Sequence, residues 1–192
     1  MLICRKEVIN MRTEDHYLLA SKLIGDHTTG RLNTLAFLIG NIEPDYNRFS
    51  YLGPRSVYFS QGHSFKARRR MMKRFFVMPY THTPMWWFHA GKVFHYMTDS
   101  FSRPHNPEFD YDSPHHIVYE LDLQKLFEDE LNGRRWKIPK IEGDPYDWLV
   151  RRHNAYLARS QGFEEDICYI CTTIPAVWEW VLENKVMRHE MR

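Results

Sequence analysis

Apolar residues in this chain recur at intervals of three and four, the spacing of a helix with one buried face. After Thr13-Glu-Asp-His16, the residues Tyr17, Leu18, Leu19, Leu23 and Ile24 follow that spacing and stop at Gly25. The pattern predicts a capped helix with His16 in its first turn. Residues 33–39 predict a second helix, stopped by Gly40 and Pro44, which leaves Asp45 on a Pro-punctuated loop. Tyr46 to Gln61 mix aromatics with Gly53 and Pro54 and read as irregular. Gly62-His63-Ser64 then opens a helical run over Phe65–Val77. Pro79 and Pro84 bracket a turn, and residues 85–101 form the most apolar helical stretch, with Trp86, Trp87, Phe88, Val93, Phe94 and Met97. This is the expected central core helix.

The C-terminal half continues in the same manner. Ser102 to Pro107 is a Pro-bounded loop carrying His105. Ser113-Pro114 is a good helix start, and the helix should run through Leu121, Leu123, Leu126 and Phe127 to Asn132-Gly133. A charged linker over residues 134–145 leads to helices over 147–159 and 164–190, the last with a turn or kink at Pro175. Strand-type alternation and internal repeats are absent. The expected fold is all-α, a single-domain bundle of about six or seven helices spanning residues 13–192 after an N-terminal extension of residues 1–12.

Composition narrows this picture without redirecting it. A 192-residue chain with 43% hydrophobic residues can bury one sizeable core. A net charge of +2 is too mild to argue for nucleic acid. The basic run of Lys66, Arg68, Arg69, Arg70, Lys73 and Arg74 reads as a solvated helix face. Three cysteines make no disulfide framework, and Cys168-x2-Cys171 reads as reduced core thiols on a helix. The N-terminal residues lack a secretory pattern and no apolar run is long enough to span a bilayer, so a cytoplasmic protein is expected.

The chemistry gathers between Phe94 and Glu120, where His95-x3-Asp99 and His116-x3-Glu120 each place imidazole and carboxylate on one helix face. With 11 His and 24 acidic residues, chance alone supplies about 1.4 such pairs, so spacing by itself decides little. Taken singly, each pair reads as a surface helix contact, His16 as a helix-start residue and Asp45 as a turn residue. His95, however, sits in the most apolar run, where an unpaired imidazole and carboxylate would be costly to bury. Together His16, Asp45, His63, His95, Asp99, His105, His116 and Glu120 form a candidate zinc-ligand set on helices and loops that converge in a bundle.

The order of these residues resembles the zinc-dependent phospholipase C family, whose helical fold is shared with single-strand-specific zinc nucleases. The resemblance runs through His16, Pro44-Asp45, Gly62-His63, His95-x3-Asp99, His105 and His116-x3-Glu120. It implies two or three zinc ions. Asp45, His63, His95 and Asp99 would hold one, His105, His116 and Glu120 a second, and His16 with a bridging Asp99 a third. The family completes its third site with an N-terminal Trp, which this chain lacks; a start at Met11 would place a free amine five residues before His16. The implied activity is phosphoester hydrolysis by a metal-bound hydroxide, with Asp45 and Asp99 as catalytic carboxylates. Tyr46, Phe59 and Phe65 are candidates for the substrate pocket. The implied partner is a small phosphoester or phospholipid headgroup, with peripheral membrane contact allowed and nucleic acid less favoured. The rival functions are a single-strand nuclease and a non-catalytic metal-binding protein. Among the other histidines, His27, His153 and His189 read as surface residues, His82 has no assigned role, and His89 or His115 would at most support a ligand.

Overall fold

A computed structural model of the chain describes residues 13–25, 30–47, 63–109 and 113–187, apart from the side chains of 113, 114, 116 and 117. Seven α-helices account for most of them: α1 Thr13–Gly25, α2 Arg31–Tyr46, α3 Phe65–Val77, α4 Pro84–Asp99, α5 Ser113–Gly133, α6 Pro145–Arg159 and α7 Phe163–Val181. Two short 3-10 turns, Arg103–His105 and Pro107–Phe109, join α4 to α5, and a π-helical segment Leu182–Met187 extends α7. No strand occurs among the described residues, so the all-α expectation holds.

Local chemistry sets several helix starts. Ser64 accepts a hydrogen bond from the Ala67 N–H, Thr83 from Trp86 and Asp144 from Asp147, each satisfying a backbone donor that the first turn leaves open. Pro84 and Pro145 follow their caps directly, because a first-turn residue needs no N–H donor. Pro84 therefore begins α4 instead of closing the turn before it.

One expectation about a helix end needs correction. α2 does not stop at Gly40 or Pro44 but runs on to Tyr46, where the Asn47 N–H bonds the Glu43 carbonyl at 3.0 Å. Asp45 thus occupies the last turn of a helix, not a loop. Gly40 is there for closeness: a Cβ on it would run into the Phe88 carbonyl, and a Cβ on Gly91 would run into the Phe37 carbonyl. The two glycines let α2 and α4 cross with their backbones touching. Asn41 adds a buried side-chain hydrogen bond to the Gly91 carbonyl at 3.2 Å. Pro175 lies inside α7, within the last helical run as expected, flanked by buried Ile174, Ala176, Val177 and Trp178. Burying those side chains offsets the roughly 3 kcal/mol that an internal proline costs.

α4 is the central helix, as its composition suggests. Every residue from Val93 to Asp99 is buried, and Trp87 and Phe94 meet Phe37 of α2 and Trp178 of α7 in edge-on and tilted ring contacts. α3 buries Met72, Phe75 and Phe76, and Lys66, Arg69, Arg70, Lys73 and Arg74 point to solvent. Cys171 is a buried free thiol, whereas Cys168 is exposed, because α7 turns that side outward; Cys4 lies outside the described residues. No described helix is long and apolar enough to cross a membrane.

The backbone contact at the helix crossing makes a direct prediction. Gly91→Ala should destabilise the chain by about 2–3 kcal/mol, the upper range for overpacking, because backbone must move to admit the methyl group. Urea unfolding of the variant against Gly133→Ala, where a Cβ meets nothing within 4 Å, checks this.

Candidate metal centre

His95 and Asp99 lie one turn apart near the end of α4, both wholly buried. The His95 Nδ1 lies 2.7 Å from the Asn41 carbonyl oxygen. A carbonyl only accepts, so Nδ1 carries the proton and a neutral His95 presents its lone pair at Nε2. That Nε2 faces Asp99 Oδ2 at 3.2 Å, Asp45 Oδ1 at 3.5 Å and His63 Nδ1 at 3.2 Å. The two carboxylate oxygens therefore turn their lone pairs on the Nε2 lone pair, with His63 Nδ1 beside them. Only a further proton or a cation between them relieves that repulsion.

Asp99 gathers the rest. Its Oδ1 lies 3.0 Å from His16 Nε2 and 3.6 Å from His105 Nε2, and its Oδ2 lies 2.7 Å from His63 Nδ1. His105 Nε2 is also 3.2 Å from Glu120 Oε1. His16 comes from the first turn of α1, Asp45 from the last turn of α2, His63 from the residue before the α3 cap, His105 from the 3-10 turn after α4, and Glu120 from α5. Thr13 donates from Oγ1 to Asp45 Oδ2 at 3.0 Å, which leaves Oδ1 turned toward His95.

The charges follow from this crowding. Burial alone would push the Asp99 carboxyl up, but the imidazoles of His105, His95 and His16 outweigh it and hold the group well below the usual carboxylate range. Burial also disfavours a charged His95, yet the carboxylates of Asp99 and Asp45 prevail and raise its pKa. At His63 burial wins over the Asp99 contact and lowers the pKa. Two donor groups could each enclose an ion: His16, His95 and Asp99, and Asp45, His63 and His95, with the atoms of each within 4.8 Å of one another. His16 Nδ1 and Asp45 Oδ1 are buried atoms without a hydrogen-bond partner among the described residues. Imidazole nitrogen and carboxylate oxygen are donors that zinc accepts, and the Asn41 carbonyl orients His95 as a ligand is usually oriented.

Seven of the eight candidate ligand positions can thus be placed around the centre. The eighth, His116, is on α5 one turn before Glu120, but its side chain lies outside the described residues, as does Phe59. Tyr46 is 74% exposed at the end of α2. Phe65 is half-buried and stacks on His153, with centroids 4.2 Å apart. His82, His89 and His115 are exposed, so His89 does not reach the centre; His27 and His189 lie outside the described residues.

His153 needs correction from surface to core. It is 6% exposed, and its Nε2 lies 2.9 Å from Asn106 Oδ1. The Asn106 amide nitrogen donates to the Ser100 and Ser102 carbonyls at 3.1 and 2.8 Å, so Oδ1 accepts and His153 donates. The polar sequence around His153 gave no hint, because its partner is 47 residues away. Thr13 and Asn41 were also missed as supports of the centre. Thr13 resembles an ordinary helix-start residue, and Asn41 acts mainly through a backbone carbonyl that any residue has.

Burial pushes the His153 pKa down to about 4 from an ordinary value near 6.5. The unfolded chain therefore takes up this proton before the folded one does. The stability that neutral His153 contributes is complete above pH 6.5 and lost as pH falls toward 4. In urea unfolding at pH 7 and pH 4.5, the wild type should lose about 2 kcal/mol more than His153→Gln, which keeps a donor for Asn106 but does not titrate.

The sequence profile of the family described as zinc-dependent phospholipase C matches residues 15–163. The match covers most of the chain and includes every residue from His16 to Glu120 that the centre brings together. No curated protein and no solved structure matches the chain. On the extent of the family match, and with a fold and donor set that agree with it, the chain belongs to the zinc-dependent phospholipase C family.

Proposed function

We propose that the chain is a zinc-dependent hydrolase of phosphodiesters of the phospholipase C type, with a phospholipid headgroup or a related small phosphoester as substrate. The observation that carries this reading is the His95 Nε2, aimed inward by the Nδ1 contact with the Asn41 carbonyl and faced by two carboxylates and a second imidazole in a buried site. Within it, Asp45, His63, His95 and Asp99 would hold one zinc, His105, His116 and Glu120 a second, and His16 with Asp99 a third. When bound, zinc supplies Lewis acidity that draws charge from a phosphoryl oxygen and eases proton loss from water.

The chain's own groups would do the remaining work. Asn41 holds the His95 ring so that Nε2 points inward. Thr13 occupies Asp45 Oδ2, so Oδ1 is the oxygen that faces the centre, where it would both hold zinc and align an attacking water. Asp99, with an oxygen toward each side of the centre, would keep the donor groups at fixed separation. A thiol nucleophile is not needed, and Cys171 would be a poor one, since burial pushes its pKa up to about 12.

The test is zinc content per chain together with hydrolysis of a soluble choline phosphodiester and of single-stranded DNA. Two or three zinc ions and release of phosphocholine are expected, with a fall of at least about a hundredfold in kcat/KM in His95→Ala and Asp99→Asn. A chain that takes up no zinc at micromolar concentration would sink the reading. Cleavage of DNA alone would replace it with the nuclease.

A further inference from the structure

Asp166 is wholly buried on the first turn of α7, outside the candidate centre. Its Oδ1 accepts from the Tyr156 hydroxyl at 2.8 Å and the Ser160 hydroxyl at 3.0 Å. Its Oδ2 accepts from the Arg103 backbone N–H at 3.0 Å and the Tyr119 hydroxyl at 2.9 Å. Four donors on one carboxylate exceed what a helix start requires, where a single oxygen caps a single N–H.

The two donors on Oδ2 belong to the segments that carry one side of the centre. Arg103 opens the 3-10 turn that ends at His105. Tyr119 directly precedes Glu120 on α5, and successive helix residues point about 100° apart, so a fixed Tyr119 fixes the direction of Glu120. The other two donors lie on α6 and at its C-cap, which makes the carboxylate a fixed point rather than a passenger. The turn needs such support. The bonds from the Ser102, His105 and Asn106 N–H groups run only to Asp99, Ser102 and Arg103, three residues back. Arg103 strengthens the attachment, donating from Nη1 to the Ser160 carbonyl at 2.7 Å and lying over the Phe109 ring at 4.1 Å.

We propose that Asp166 is a positioning residue that sets the separation of His105 and Glu120, and so the zinc affinity of that half of the centre, without touching either side chain. The proposal rests on the metal reading above. A plain structural role would loosen the whole bundle, whereas this role acts on one donor group alone. It also makes a distinction between side chains. An asparagine at 166 can keep its oxygen toward Arg103 and Tyr119 and turn its NH2 toward the Tyr156 and Ser160 hydroxyls, which can rotate to accept. An alanine cannot.

The experiment uses the full chain and two readouts: zinc titration against a competing chelator, and imidazole proton–nitrogen correlation spectra of the metal-free protein. Asp166→Ala and Tyr119→Phe should weaken one zinc-binding event by about 10–100-fold and leave the others unchanged, with Asp166→Asn restoring the wild-type value. In the metal-free spectra the His105 ring should move in Asp166→Ala while His16 and His95 stay. Tyr119→Phe guards against a fold failure in the alanine variant, since it removes one hydroxyl and keeps the ring. Equal weakening of every zinc-binding event, or unchanged affinities, would overturn the proposal. A wild-type chain that binds no zinc would bring down the metal reading instead; the spectra then decide, and a His105 ring unmoved in Asp166→Ala would overturn the positioning role on its own.

Discussion

A carboxylate at 0% exposure must find positive charge or hydrogen-bond donors nearby, and Asp99 is such a carboxylate at the end of the central helix. Four imidazoles approach it, from His16, His63, His95 and His105, and they arrive from α1, the start of α3, α4 itself and the turn after it. Much of the bundle's arrangement can be understood as the means of bringing those groups to one oxygen pair. The aromatic core around Trp87, Phe94, Phe37 and Trp178 fixes the helix that carries Asp99, and the caps at Ser64 and Thr83 fix where α3 and α4 begin.

The supports of the centre differ in kind on its two sides. His95 and Asp45 sit on α4 and α2, helices whose backbones meet at Gly40 and Gly91. His105 rides on a single 3-10 turn, held from outside by the Asp166 and His153 networks. One side is therefore held by packing and the other by polar attachments to α6 and α7. The C-terminal helices contribute no candidate ligand, but they support the site through these hydrogen bonds and through ring contacts such as those of Trp178 with Trp87 and Phe94.

How much of this could be read in the sequence depended on distance along the chain. His95 and Asp99 share a helix, so their convergence is visible in a four-residue spacing. The helices themselves were legible from apolar periodicity, and the starts of α3, α4, α5 and α7 lie within one residue of expectation. Gly40 misled, because a glycine that lets two helices touch looks, in one dimension, like one that ends a helix. His153 misled for the opposite reason, and Asp166 gave no signal at all. Both sit in hydrophilic stretches, and their burial comes from partners such as Asn106 and Arg103 that no local pattern reveals.

The crossing of α2 and α4 has a mechanical consequence. Between most helices a layer of side chains acts as a soft cushion, and repacking or warming can change its thickness. At Gly40 and Gly91 there is no cushion, only peptide against peptide. The gap between Asp45 and His95 is thereby insulated from changes elsewhere in the core, much as a hard stop sets the spacing in a clamp whatever the spring behind it does.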